Sequence, residues 1–136
     1  MSYAVVERND VSVLYVGRRD SLPQAPKDAF EELERKIGSL RGRKFYGVFY
    51  AADDEYRACV EPKPEDNAAA LRLSDGVIPG GRYARDVLRG DPPEVYSGIP
   101  RAFDALVAAV DHDPSRPSIE FYRRNDEIVL FLPIQG

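Results

Sequence analysis

The sequence carries a weak internal repeat, and this repeat constrains the fold more than any other feature. Gly17 and Gly90 lie 73 positions apart, and so do Phe30 and Phe103. At the same spacing DAFEEL aligns with RAFDAL without a gap. Such self-similarity indicates two copies of one supersecondary unit, each too small to bury an adequate core alone. We therefore expect the copies to share a core and to leave a cleft at a pseudo-twofold axis.

The hydrophobic pattern gives both copies the order strand, helix, strand, strand. Alternating segments that end on Gly17 and Gly90 open the copies, and segments with apolar residues at helical spacing follow. A strand hairpin ends each copy, closed by Pro62 in the first and Pro133 in the second. The predicted fold is α+β, with tandem strand-helix-strand-strand modules forming one antiparallel sheet, helices on one face and a central ligand cleft.

Length and composition are typical of a small globular protein. The chain has 136 residues, of which 43% are hydrophobic and 31% charged, and such a chain can bury a sizeable core without staples. We expect a single domain over residues 1–136, with pseudo-repeats at 3–62 and 76–134.

Charge and cysteine usage narrow the class of function. The net charge of −4 is a poor match for nucleic acid, whose phosphates attract basic surfaces. No apolar run approaches the ~20 residues of a membrane span, and the start MSYAVVERND does not resemble a signal peptide. We therefore expect a cytoplasmic protein that binds neither nucleic acid nor membrane. The single cysteine, Cys59, excludes an internal disulfide.

The last hairpin places a carboxylate inside an apolar strand. Glu120 stands between Ile119 and Phe121, and alternation puts Glu120 and Tyr122 on the same face. At the repeat spacing Glu120 corresponds to Gly47, which would leave room for the carboxylate if the two strands met at the axis. We expect the helices to cover Ile119 and Phe121, and the Glu120 face to look toward solvent or the cleft.

Two interpretations of Glu120 follow from the residues alone. A glutamate on the wet face of an antiparallel sheet is ordinary. A partly buried carboxylate among aromatic rings would instead attract cations, and burial would raise its pKa toward that of a general acid or base. Six aromatic residues on predicted strands either pack the sheet or line the cleft: Tyr15, Tyr46, Phe49, Tyr50, Tyr83 and Tyr122.

The sequence gives no sign of a metal or cofactor site. His112 is the only histidine and follows a predicted helix, where it is expected as a surface residue. A metal site needs several convergent ligands, and GVIPGG lacks the ending of a phosphate-binding loop. We expect no cofactor and no metal.

Four stretches, in this order, resemble one known family: YGVFYAADDE (46–55), IPGGRYA (78–84), YSGIPRAFDAL (96–106) and IEFYRRNDEIVLFLPI (119–134). The family is the GyrI-like, or effector-binding-domain, family, which includes the ligand-binding domains of MerR- and AraC-type multidrug regulators. Two features depart from its pattern. The chain has no tryptophan, and the segment GDPPEVYSGIP is longer than the usual loop.

The resemblance implies a pocket between the two halves with Glu120 at its floor, pairing with cationic or lipophilic aromatic ligands. Tyr122 and Tyr83 are the next residues that it implies for ligand binding. It also implies a contribution from the aromatic strand that holds Tyr46, Phe49 and Tyr50.

Three functions are therefore open. The leading hypothesis is a small-molecule binding protein for lipophilic, cationic aromatic compounds, acting in drug sensing or sequestration. The alternative is a hydrolase of cyclopropanoid or similar reactive xenobiotics, with Glu120 as catalytic residue. The second alternative is a protein-interaction module that inhibits a DNA enzyme such as gyrase.

Overall fold

The computed structural model describes residues 3–19 and 24–135. The described strands are β1 (Ala4–Arg8), β2 (Val11–Arg18), β3 (Phe45–Tyr50), β4 (Glu55–Val60), β5 (Ser74–Ile78), β6 (Gly81–Arg89), β7 (Ser118–Arg124) and β8 (Glu127–Pro133). The described helices are α1 (Gln24–Ile37), α2 (Ala68–Leu71), α3 (Glu94–Ser97) and α4 (Ile99–Ala109).

All eight strands form one antiparallel sheet in the order β1-β6-β8-β7-β3-β4-β2-β5. The order is symmetric about the central β7–β3 pair, since β2, β3 and β4 mirror β6, β7 and β8. Each outer strand pairs within the other half, because β1 adds to β6 and β5 adds to β2. The sheet and its helices confirm the predicted α+β fold class. The pseudo-repeat limits 3–62 and 76–134 stay a prediction.

One face of the sheet, here called the helix face, carries α1 on one half and α3 with α4 on the other. Ala25, Ala29 and Leu33 recur along α1 at a spacing of four residues, so they form one apolar stripe that packs on β2 and β4. On the other half, Leu106 of α4 is fully buried against residues of β6 and β8 such as Leu130. These two helix-covered clusters flank the central strands.

The opposite face, here called the strand face, has its own core, and every member of that core lies on a strand. It includes Val48, Ile119 and Val129, all nearly inaccessible to solvent, together with Phe131. The expectation that helices cover Ile119 and Phe121 is therefore wrong: both belong to the strand face. Both faces of the central strands are apolar, so alternation separates the faces but does not say which one the helices cover.

Several elements were missing from the sequence interpretation. The sequence pattern does not predict the strands β1 and β5 or the short helix α2, and the segment GDPPEVYSGIP, expected to be a loop, contains α3. No helix among the described residues is long and apolar enough to cross a bilayer. Cys59 is buried in β4, and burial raises the pKa of its thiol to about 12.

Candidate functional site

The centre of the candidate site is Glu120, which lies on β7 beside the middle of the sheet. Its Cα partners are Gly47 of β3 and Leu130 of β8, so its side chain projects from the helix face between the two helix-covered clusters. The carboxylate oxygen Oε1 accepts hydrogen bonds from the Tyr122 hydroxyl at 2.5 Å and the Tyr56 hydroxyl at 3.0 Å. Two strands, β7 and β4, thus contribute the side chains of one small polar cluster inside an apolar layer.

The other carboxylate oxygen, Oε2, has no hydrogen-bond donor among residues 3–19 and 24–135, and it is not sealed from solvent. Glu120 as a residue keeps intermediate exposure. The carboxylate is therefore deeply set yet reachable, and one of its oxygens is free to meet a ligand.

Gly47 makes this arrangement sterically possible. A Cβ atom at position 47 would overlap the Tyr56 hydroxyl and would lie 2.6 Å from Oε1 of Glu120, closer than real Cβ contacts allow. Any side chain here would displace Tyr56 from the carboxylate. Position 47 must therefore be glycine, because the Tyr56 hydroxyl and the Glu120 carboxylate occupy the space that a side chain would need.

In this cluster, Glu120 is the one group that ionises, and the tyrosines next to it remain neutral. Burial raises the pKa of Glu120, and the hydrogen bonds from Tyr122 and Tyr56 lower it to a smaller extent. Burial, and then the charge of Glu120, hold the pKa of both tyrosines well above the usual range, so both remain neutral donors. No lysine or arginine in the described ranges forms an ion pair with Glu120. Within the described part of the chain, the carboxylate therefore has no counter-ion.

Aromatic rings from two helices surround the tyrosine pair. Phe30 of α1 meets Tyr122 edge to face at a centroid distance of 5.3 Å, and it meets Tyr56 at 6.2 Å. From α3, Tyr96 makes a further edge-to-face contact with Tyr122 at 6.2 Å and is 42% exposed. Rings of α1, α3, β4 and β7 are thus linked by edge-to-face contacts next to Glu120, and Tyr96 is the most exposed of them.

No protein-family model matches the sequence, and no curated protein matches it either. Solved structures do. An integron cassette protein from the mobile metagenome of Vibrio cholerae superposes with a TM-score of 0.79 at 15% identity, over 98% of this chain and 95% of its own. SAV2435 bound to tetraphenylphosphonium gives a TM-score of 0.68 at 11% identity, over 100% and 95%. A hydrolase from Listeria innocua gives 0.53 at 12%, over 98% and 91%.

The chain shares the fold of these proteins. At such low identity the likeness establishes the architecture and leaves activity to be argued from the site itself. The shared fold spans nearly the whole of each chain, so the Glu120 cluster belongs to a complete copy of the architecture.

The structure brings three of the six predicted site residues to the helix face. These are Glu120, Tyr122 and Phe49, which packs beside α1 and lies opposite Tyr56 in the β3–β4 pair. Sequence reasoning missed Tyr56, Phe30 and Tyr96. The register of the β3–β4 hairpin carried the signal for Tyr56, because the residue opposite Phe49 must share its face.

The other three predicted residues, Tyr46, Tyr50 and Tyr83, lie on the strand face and do not reach Glu120. The Tyr83 side chain is fully buried, and its hydroxyl donates to the Pro79 carbonyl at 2.5 Å. Tyr46 donates to Glu61 and stacks on Phe121. Tyr46 lies three positions before Phe49 and Tyr50 lies one position after it. Because side chains alternate along a strand, both tyrosines point to the face opposite Phe49.

His112 belongs to none of the named strands or helices; it forms an isolated bridge with Ile134. Within the described ranges no group of three or more histidine, cysteine, aspartate or glutamate side chains is placed to hold a metal ion.

Proposed function

We propose that the protein binds lipophilic aromatic cations beside Glu120, where Phe30 of α1 and Tyr96 of α3 both contact Tyr122. In this role it would act as a GyrI-like effector-binding module that senses or sequesters such compounds. One observation carries this proposal: a partly buried carboxylate that accepts hydrogen bonds from two neutral tyrosines and has no ion-pair partner among the described residues.

The energetic argument follows from the surroundings of the carboxylate. Removing a charge from water is costly unless a partner compensates. Two tyrosine hydroxyls compensate only in part, since burial still raises the pKa of Glu120. A bound cation would supply the missing charge at a site where the Coulomb attraction is stronger than in water. The same cation would gain from the electron-rich faces of the surrounding rings, at about 0.5–2 kcal/mol for each contact.

The lining selects the kind of cation. A primary ammonium group loses a strong hydration shell on entry and needs about three acceptors to replace it. Here only Oε2 of Glu120 is an unused carboxylate oxygen. A bulky cation with delocalised or shielded charge has little hydration to lose and offers apolar surface to Phe30 and Tyr96. Tetraphenylphosphonium, the molecule bound to SAV2435, is of this chemical class.

Calorimetry with tetraphenylphosphonium and the neutral triphenylphosphine oxide tests the proposal. We expect the cation to bind more tightly than the neutral compound, and Glu120→Gln to weaken cation binding by at least tenfold. Glu61→Gln is a matched control, because Glu61 also accepts a tyrosine hydrogen bond but lies with Tyr46 rather than Glu120. If Glu120→Gln binds the cation as tightly as wild type does, the charge role of Glu120 is wrong.

A hydrolase is a second candidate, which the raised pKa of Glu120 beside two tyrosine hydroxyls favours. Glu120 would act as general base on a water or as acid toward a leaving group. Incubation with a cyclopropane-bearing alkylator, followed by mass spectrometry, distinguishes binding from turnover. Recovery of unchanged compound after hours argues for binding alone.

A further inference from the structure

Arg57 on β4 is held between two tyrosine rings on the strand face. Its guanidinium carbon lies 4.3 Å from the centroid of Tyr15 on β2 and 4.6 Å from that of Tyr50 on β3. Its Nε donates to Oε1 of Glu55 at 3.0 Å. Rings on both sides and a carboxylate at Nε leave this long side chain few alternative positions.

Two glycines make room for the arrangement. A Cβ atom at Gly76 would lie 2.8 Å from Cε1 of Tyr15, and a Cβ atom at Gly17 would overlap Oε2 of Glu55. The Tyr15 ring therefore lies over Gly76, and the Glu55 carboxylate reaches over Gly17. The adjacent strands β2 and β5 therefore each have a glycine where the Glu55 carboxylate and the Tyr15 ring, the neighbours of Arg57, need the space.

The two terminal nitrogens of the Arg57 guanidinium, Nη1 and Nη2, make no hydrogen bond to the described residues. Neither Nη1 nor Nη2 has an acceptor among the described residues, and neither nitrogen is sealed from solvent. Arg116, on the same side of the sheet, is different. Its guanidinium donates to Asp113 and to the carbonyls of Gly80, Arg82 and Ile134, so its donors are committed within the protein. Arg116 has a structural role, whereas both Nη nitrogens of Arg57 remain without an acceptor among the described residues.

We propose that the Tyr15–Arg57–Tyr50 cluster is a binding site for an oxyanion, either a carboxylate or a phosphate group. The two Nη nitrogens donate to two oxygens of the anion in the bidentate geometry that arginine forms with such groups. Glu55 occupies only Nε and thereby orients the fork, and the rings flank any apolar part of the ligand. Arg57 alternates with Tyr56 along β4, so this site lies across the sheet from Glu120 and does not depend on the proposed cation site.

Nitrogen-15 NMR of the arginine side chains tests the proposal, with sodium phosphate and sodium acetate as separate probes and sodium chloride at equal ionic strength as control. We expect the Arg57 Nε–H signal to shift saturably with at least one oxyanion and not with chloride. The Arg116 signal should stay in place as an internal reference. A shift with phosphate alone assigns the site to phosphate groups, and a shift with acetate alone assigns it to carboxylates.

Two variants sharpen the test. Arg57→Lys keeps the charge but cannot form the bidentate pair, so we expect at least a fivefold loss of oxyanion affinity, measured by calorimetry. Glu120→Gln should bind the oxyanion as wild type does, which separates failure here from failure of the cation site. The proposal is overturned if the wild-type Arg57 signal responds to phosphate and acetate no more than to chloride. The wild-type titration decides this even if Arg57→Lys does not fold.

Discussion

Gly47 and Glu120 face each other across the central β3–β7 pair, and the missing side chain of one makes room for the carboxylate cluster of the other. The 73-residue spacing relates the same two positions. One half of the chain therefore carries the acid, and the other half carries the space in which the Tyr56 hydroxyl reaches it.

Substituting Gly47 should break this relationship. In Gly47→Ala the new methyl group displaces the Tyr56 hydroxyl, and we expect a loss of about 1–3 kcal/mol in the free energy of unfolding, as for other overpacked sites. Cation affinity should fall as well. Gly98→Ala is the control, because a Cβ there meets its nearest neighbour at 3.5 Å, an ordinary contact, and Gly98 has helical dihedral angles. Urea denaturation measures the free energy of unfolding of both variants. Equal stability of the two variants would contradict the steric role of Gly47.

The raised pKa of Glu120 predicts a pH dependence with a definite sign. The folded state binds the Glu120 proton more tightly than the unfolded state, in which the pKa is near 4.5. The stability contribution of Glu120 is therefore fully present below about pH 4.5 and is lost as pH rises through the raised folded pKa. Denaturation of wild type and Glu120→Gln across this range should show wild type losing stability relative to the variant. A constant difference would count against burial of the charge.

The two tyrosine hydrogen bonds should differ in effect. Tyr122 makes the shorter bond to Oε1, so Tyr122→Phe should raise the pKa of Glu120 and lower cation affinity more than Tyr56→Phe does. For a lost hydrogen bond to a charged group we expect a decrease of about 1.5–3 kcal/mol in the free energy of unfolding. Tyr46→Phe removes a tyrosine–carboxylate bond on the strand face and should leave cation affinity unchanged. Calorimetry on all three variants measures these effects, and an equal loss of affinity in Tyr46→Phe would mean that the losses are not local.

Tyr96 should contribute to binding more than to folding. Its ring is 42% exposed, and its described ring contact is with Tyr122, so Tyr96→Ala should cost little stability. Loss of one cation–ring contact should reduce tetraphenylphosphonium affinity by about three- to fivefold, equivalent to about 0.5–1 kcal/mol. Tyr3→Ala is a matched control, since Tyr3 is 40% exposed and directly precedes β1, the edge strand at one end of the sheet. Equal affinities of the two variants would exclude Tyr96 from the rim of the site.

The sequence predicted the part of the site that depends on spacing. Alternation put Glu120 and Tyr122 on one face, and the repeat placed Gly47 opposite. It could not predict the contribution of Tyr56, because that depends on the register of the β3–β4 hairpin, and a shift of one residue would turn Tyr56 to the other face. The position of Tyr83 came from a motif resemblance rather than from spacing, and the structure places it across the sheet.

The fold was predictable where its contacts are local. Each strand-helix-strand-strand unit follows from hydrophobic periodicity, which gave the α+β class. The exchange of β1 and β5 between the halves was not predictable, because it pairs β1 with β6 and β5 with β2. The paired residues lie 59 to 81 positions apart in the sequence. The helix-covered face was not predictable either, because both Phe45 and Tyr46 are apolar enough to be buried.

Contact between a lipophilic cation and the charge of Glu120 can be measured by carbon-13 NMR of the glutamate carboxyl groups, titrated with pH in the presence and absence of tetraphenylphosphonium. We predict that the Glu120 signal titrates above the usual glutamate range in the free protein, and that its midpoint falls when the cation saturates the site. If the bound cation leaves the Glu120 midpoint unchanged, the cation does not interact with this charge.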